Sequence, residues 1–389
     1  MKLRPCLFLA ASSMLIAELA ALPASSARRP RYGGTLRVEI GAAINSLDPG
    51  VAAADSAEAR VKAQIAMLLY DHRNSDGTYT EPGPFRVAEW EPAKHLTLSA
   101  NDDSRGGRPF VDAVEIRFGR KARERVVDLE VNNTDLAEVP AEEARRAAEN
   151  GMRISTSVGD ELVALVFVGG RPAVSDARVR EAIADSIDRE AIVNFILQRE
   201  GDAAGGLLPQ WSSGTAFLFG VAPNGDRAKE LWREIAPSPK IVLGYDADDS
   251  QEQAIAERIV VNAREAGITL IRQGIVTGAA APNVDAKILR LTMTSRQPQA
   301  ALADFLDFLA PIAGLTADPL PDRASPEQIY ELQKSITGSF SVVPIAWIPQ
   351  VYGLSARVRD WQTPGPGEAW PLANVWLDTG PAGKEPANP

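Results

Sequence analysis

Two imidazoles, His72 and His95, and one thiol, Cys6, are all that 389 residues offer of those groups. Imidazoles hold metals or move protons when further ligands stand at short spacing beside them. These two lie in separate segments without such neighbours, so each reads as a surface residue. No G-x(4)-G-K loop is present to cradle phosphates, and no G-x-S-x-G turn to present a nucleophilic serine. The 51 acidic residues form no pair whose spacing singles out a general acid and a base. The sequence therefore predicts no catalytic group, metal site or cofactor, and no enzyme. What remains is noncovalent recognition, for which the seven tryptophans are the main resource. Most belong in the core by default, though some could line a cleft. A formal net charge of −10 speaks against a nucleic-acid partner, since no basic excess exists to displace phosphate counterions.

Cys6 sits in a segment with its own logic. Lys2 and Arg4 precede an apolar stretch from Leu7 to Ala17, and Ser25-Ser26-Ala27 follows with small residues suited to cleavage. Residues 1–27 thus read as a secretory leader. Glu18 interrupts the apolar run, which is too short to span a bilayer. The expected mature chain has no thiol and no disulfide, and must be held by its core alone. A periplasmic or extracellular location follows from this reading.

The elements that would position a recognition site come next. In "RYGGTLRVEIG", Leu36, Val38 and Ile40 alternate with Arg37 and Glu39, a strand pattern. "AINSLDPG" is a loop ending in turn chemistry, and a helix is expected from Ser56 to Tyr70. "RNSDGTYTEPG" reads as a loop. "GPFRVAEWEPAKHLTLSAN" reads as a hairpin, with Phe85, Val87 and Trp90 lining one strand, Leu96 and Leu98 the other, and Pro92 in the turn. Val114, Ile116 and Phe118 alternate in the next strand, and "VPAEEARRAAENG" is a helix stopped by Gly151.

In "VSDARVREAIADSIDREAIVNFIL", Asp176 should cap a helix whose inward stripe is Val179, Ile183 and Ile187. Asp188 should cap a second helix that turns Ile192, Phe195 and Ile196 inward. "KIVLGYD" and "ITLI" are strands joined by a helix, which Ser250 and Gln253 should open as a capping box. Such a unit implies a parallel pair with a right-handed crossover. Ser325 opens a further capped helix, with Ile329, Leu332 and Ile336 inward, leading into the strand-like "SFSVVPIAWIPQVYGL". Residues 380–389 form a Gly/Pro-rich tail.

Five of these segments together resemble a known family. "DARVREAIADSIDREAIV" is similar to a characteristic stretch of the family 5 extracellular solute-binding proteins, the peptide and nickel receptors of ABC importers. "GGTLRVEIGAAINSLDPG", "GPFRVAEWEPAKHLTLSAN", "GGRPFVDAVEIRF" and "PIAWIPQVYGLSARVRDW" match further segments in the family's order. The resemblance implies an α/β, two-lobed periplasmic-binding-protein-like fold with a hinge crossed twice by the chain. Lobe I would span 32–157 and a C-terminal return, 349–379; lobe II would span 158–348. It also implies a receptor that captures a small peptide-like or organic solute between its lobes and delivers it to ABC permease subunits in the inner membrane.

Two departures from the family pattern stand out. Where the family carries a pocket-flanking subdomain, only "HRNSDGTYTEP" is found. Where peptide binders hold a carboxylate for the ligand's amino terminus, Thr294 stands, beside Thr292 and Arg296. The resemblance further implies candidate ligand contacts at Asn45, Ser46 and Leu47 after the first strand, at Trp211, and at Trp347 and Tyr352 on the return crossing. Hydroxyls and a cation at 292–296 would suit a ligand that is neutral or anionic at that end. The departures leave a second reading open, a shortened non-transport relative serving as a ligand-responsive partner or scaffold of another envelope protein.

Overall fold

The computed structural model describes residues 29–378, apart from 52, 54–55, 74–78, 214–218, 277–282, 317–319 and 322. The expected leader and tail lie outside the described residues. One large mixed sheet organises the chain. Across it run the strands Leu270–Ile275, Ile241–Asp246, Ala286–Thr292, Arg153–Phe167, Val342–Leu354, Leu136–Val139, Thr35–Glu39, Ala113–Arg117, His95–Ala100 and Phe85–Glu91. The strands on either side of the expected Ile241–Ile275 crossover are parallel neighbours.

The two central strands, Arg153–Phe167 and Val342–Leu354, are far longer than the rest and antiparallel to each other. At one end they join the strands that precede them in sequence; at the other, the strands that lie between them. They are the two crossings of a hinge, and a separate core has formed at each end. One core gathers Leu36, Val38, Leu96, Leu98, Val114 and Ile116 with the returning Trp370 and Leu372. Beyond the hinge the sheet is covered on both faces. Val163, Leu165 and Phe167 enter one core, while Leu162, Ala164 and Val166 enter another. That is why "LVALVF" is apolar without alternation.

Local chemistry accounts for several helix starts. Asp176 accepts from the Arg178 amide, and Val179, Ile183 and Ile187 are buried as expected. Ser325 and Gln328 form a reciprocal capping box. Asp188 accepts from the Ala191 amide at 2.9 Å. Losing a cap costs about 0.5–2 kcal/mol. Asp188→Ala should therefore lower the unfolding free energy within that range, and an unchanged urea midpoint would show that the cap contributes nothing.

Four local expectations are corrected. The helix after Asp188 widens, with the Leu197 amide bonded to the Ile192 carbonyl five residues back, so Ile192–Ile196 is a π-turn. The wider turn carries Phe195 outward, to 80% exposure. Asp249, not Ser250, caps the Ser250–Glu265 helix, accepting from the Gln251 and Glu252 amides; its carboxylate outcompetes a serine hydroxyl one residue later. Val87 is exposed because Phe85–Glu91 is an edge strand with a bulge between Val87 and Glu89. The loop after the first helix carries a short two-stranded ribbon, Tyr70–Arg73 with Tyr79–Pro82. Glu39, on a strand covered on both faces, is buried and faces Arg117 and Arg120.

Candidate ligand-binding site

Where the two long strands cross between lobes, their pairing slips. Ile348 pairs Glu161 and Pro349 pairs Gly159, so Asp160 has no opposite residue. Bulges of this kind re-aim a side chain. Here the Asp160 carboxylate turns into the space between the lobes, where it accepts from Ser157 Oγ at 3.0 Å and Gln350 Nε2 at 3.3 Å. Burial pushes this carboxyl up to about 7, against the Ser157 hydrogen bond and with help from neighbouring Glu161.

Facing it from the other lobe is the Ser56–Leu69 helix, which presents Arg60 and Gln64. Arg60 is committed elsewhere, with Nη2 at 2.5 Å from Glu138 Oε1 and Nη1 at 3.4 Å from the Tyr352 hydroxyl. Glu138 also accepts from the Gly41 amide at 2.8 Å. Burial alone would push the Glu138 carboxyl up, but Arg60 and Arg125 together hold it below the usual range. Burial also pushes the Tyr352 phenol up to about 12, so it stays a neutral donor, here to Gln350 Oε1.

The third wall is the segment Pro364–Gly367. Gly367 is required there, with φ at +72° and a Cβ that would meet the Thr294 carbonyl oxygen at 2.6 Å, while Gly365 lies under the movable Arg296 guanidinium. Gln64 fixes the segment from below, donating to the Glu368 carbonyl and accepting from the Trp370 amide. Arg296 reaches across to Glu368 at 3.2 Å. Lys121 to Asp248, at 3.1 Å, likewise ties the two lobes. Between these walls lies a cavity of about 20 Å³, room for roughly one water-sized group. The lobes are closed on each other.

The residues singled out by sequence scatter around this cleft. Thr294 lines it, its hydroxyl donating to Asp304, and Arg296 closes its rim. Thr292 is buried at the end of its strand. Trp211 stands beside the hinge, half-exposed, and its indole donates to the Gly159 carbonyl at 3.1 Å. Tyr352 lies behind the cleft wall, buried. Trp347 is a core residue packed on Phe305. Asn45 and Ser46 are in the loop after the first strand, and Leu47 packs against the lobe I core. Arg60, Gln64, Asp160 and Gln350 escaped the sequence reading. The available signal was Asp160 and Glu161, two acids directly before the apolar run 162–167 within one strand. Among the described residues no group of three or more His, Cys, Asp or Glu is placed to hold a metal ion.

Comparison with known proteins decides the family. The family described as bacterial extracellular solute-binding proteins, family 5 Middle, matches residues 57–315, well over half of the chain. The chain belongs to this family. Among curated relatives of this family 5 protein, the oligopeptide-binding protein AppA of Bacillus subtilis is 31% identical over 123 residues, 31% of this chain and 23% of that relative. A probable D,D-dipeptide-binding periplasmic protein of Escherichia coli is 23% identical over 178 residues, 45% of this chain and 34% of the relative. The family 5 protein thus spans only a quarter to a third of the length of these matches.

Its fold is that of solved family members. The structure of Bacillus subtilis AppA in complex with a nonapeptide superposes with a TM-score of 0.70 at 15% identity, covering 90% of this chain and 100% of that one. NikA of Staphylococcus aureus in complex with Ni(L-His)2 gives 0.61 at 18% identity, covering 79% of this chain and 71% of that one. No described helix is long and apolar enough to cross a membrane.

Proposed function

We propose that this protein is an exported receptor that closes on a small solute, peptide-like or organic, and delivers it to the permease subunits of an ABC importer. The observation that carries this reading is the cleft itself. Polar side chains from both lobes, Arg60, Asp160, Thr294 and Gln350, converge on a closed space directly over two bulged hinge strands. Two long strands interrupted by bulges suit rigid-body opening and closing around a ligand. On this reading lobe I comprises 32–157 and 349–379, lobe II comprises 158–348, and a leader ending at Ala27 directs export. Recognition needs no bond making, so the protein acts as a carrier rather than an enzyme.

A second reading, a non-transport relative acting as a partner or scaffold, draws on one observation. The Pro364–Gly367 segment and the Arg296–Glu368 pair already fill and tie the cleft of the chain alone. Native mass spectrometry of protein isolated from its own envelope separates the two. The receptor reading expects a retained small molecule that is lost on partial denaturation and rebinds on refolding. A stoichiometric protein partner with no small molecule would reject it in favour of the scaffold.

A further inference from the structure

Beyond the hinge lies a second, larger cavity, of about 250 Å³. Pro344 in its wall is five residues along the strand from the slip at Pro349, about 17 Å, so this space is not the cleft. Arg189 also forms part of the wall. It is 8% exposed, and its Nε donates to the Pro344 carbonyl at 2.7 Å and its Nη1 to the Val221 carbonyl at 3.4 Å. A guanidinium carries five N–H donors, so three are left without an acceptor among the described residues. Asp185, the one acid in the lining, makes no ion pair with it and acts only at longer range. Burial pushes the Arg189 pKa down to about 10, and the cation persists at neutral pH. Lys334, the other cation there, is exposed and already held by Glu331 at 3.7 Å. Phe340, just past the Pro326–Gly338 helix, lines the same cavity with φ at +55°. Glycine is usual at such a position, and a bulky residue there is strained. Strain of this kind gathers at ligand sites.

We propose that this cavity is a second ligand site, separate from the cleft, for a small monocarboxylate with an apolar body. Its carboxylate would sit on Arg189 and its body against Phe219 and Phe340. The free donors on Nη1 and Nη2 suit the paired oxygens of a carboxylate, and Arg189 is the one lining cation without an acid partner. Arg180 donates to the Ser339 carbonyl at 2.9 Å, which adds positive charge where the Pro326–Gly338 helix ends. At about 30 Å³ for a water-sized group, the volume admits roughly eight non-hydrogen atoms, close to the size of benzoate. The site stands whatever the cleft binds.

The test is calorimetric titration of the full chain with sodium benzoate and with benzamide, a neutral molecule of the same shape, while crystals soaked in benzoate locate it. Charge-assisted hydrogen bonds to a buried guanidinium predict that benzoate binds about 10-fold or more tightly than benzamide. Its carboxylate should lie on Arg189. Arg189→Lys keeps the charge without the paired geometry and should lose most of that preference. Equal affinity for the two probes overturns the proposal, as does benzoate found only in the interlobe cleft. So does a preference unchanged in Arg189→Lys. Benzoate seen in crystals but not bound in solution, or bound in neither, would mean that water alone answers Arg189, and overturns it too. The parent's titration and crystal decide even if the variant does not fold.

Discussion

Arg290→Met should unfold with about 3–5 kcal/mol less free energy at pH 8 than the parent, the usual loss when one partner of a buried ionic cluster is removed. Arg290 lies on the strand Ala286–Thr292 and faces three carboxylates from two other elements. Its Nη2 is 2.8 Å from Asp249, its Nε 3.6 Å from Glu252 and its Nη1 3.7 Å from Glu161, and it donates to Gln251 Oε1 at 2.6 Å. The guanidinium thereby joins the helix start at Asp249 to the hinge strand. Burial already pushes the Glu252 carboxyl up to about 7, against the pull of Arg290. Without that cation its folded-state pKa rises further above the unfolded value. Relative to the parent, whose Glu252 carboxyl is itself raised to about 7, this part of the loss opens only above pH about 7, grows as pH rises toward the variant's higher folded value, and is absent in acid. Urea titrations at pH 4 and pH 8 measure it. A loss that is the same at both, or below about 1 kcal/mol at pH 8, would show that the cluster is not electrostatically coupled to folding.

The second large effect comes from Asp160. Its folded-state pKa, raised from 3.8 to about 7, means that the native protein holds this proton where the unfolded chain has released it. Stability contributed by the neutral acid is fully present below about pH 3.8 and is lost as pH rises through the window to about 7. At about 1.4 kcal/mol per pKa unit the loss has an upper bound of about 4 kcal/mol. Asparagine cannot ionise and keeps the capacity to hydrogen-bond Ser157 and Gln350. Asp160→Asn should therefore match the parent at pH 4 and exceed it by a few kcal/mol at pH 8. Parallel curves for parent and variant across that window would place the Asp160 charge in a well-solvated site and sink the argument. The expected pattern is a residue retained against stability, as ligand-facing charges commonly are.

Several parts of the fold were legible in the chain because their causes are local. The stripe Val179, Ile183, Ile187 beside Asp176 needs only helix periodicity and a cap, and the Ser325–Gln328 box needs only three-residue spacing. Where two local solutions compete, sequence misjudged. Asp249 and Ser250 can each cap the same helix, and an adjacent carboxylate won; Phe195 has the right period for an α-helix, but the turn opened into a π-turn. Val87 alternates correctly, yet an edge strand past a bulge has nothing to bury it.

The candidate site divides along the same line. Sequence by itself determined the export-type leader as an expectation, the order of strands and helices and the family pattern, because each rests on residues close together in the chain or on segments in a fixed order. It also placed Thr294 and Arg296 at the cleft. Which charges are answered was decided by tertiary structure alone. Glu368 meets Arg296 across 72 residues, Glu138 meets Arg60 across 78, and Gln350 meets Asp160 across 190. Coulomb energy depends on separation in space and on burial, and neither follows from distance along the chain. The same carboxylate is an ordinary surface acid or a buried one according to how the bulge at Asp160 turns it toward Gln350, 190 residues away.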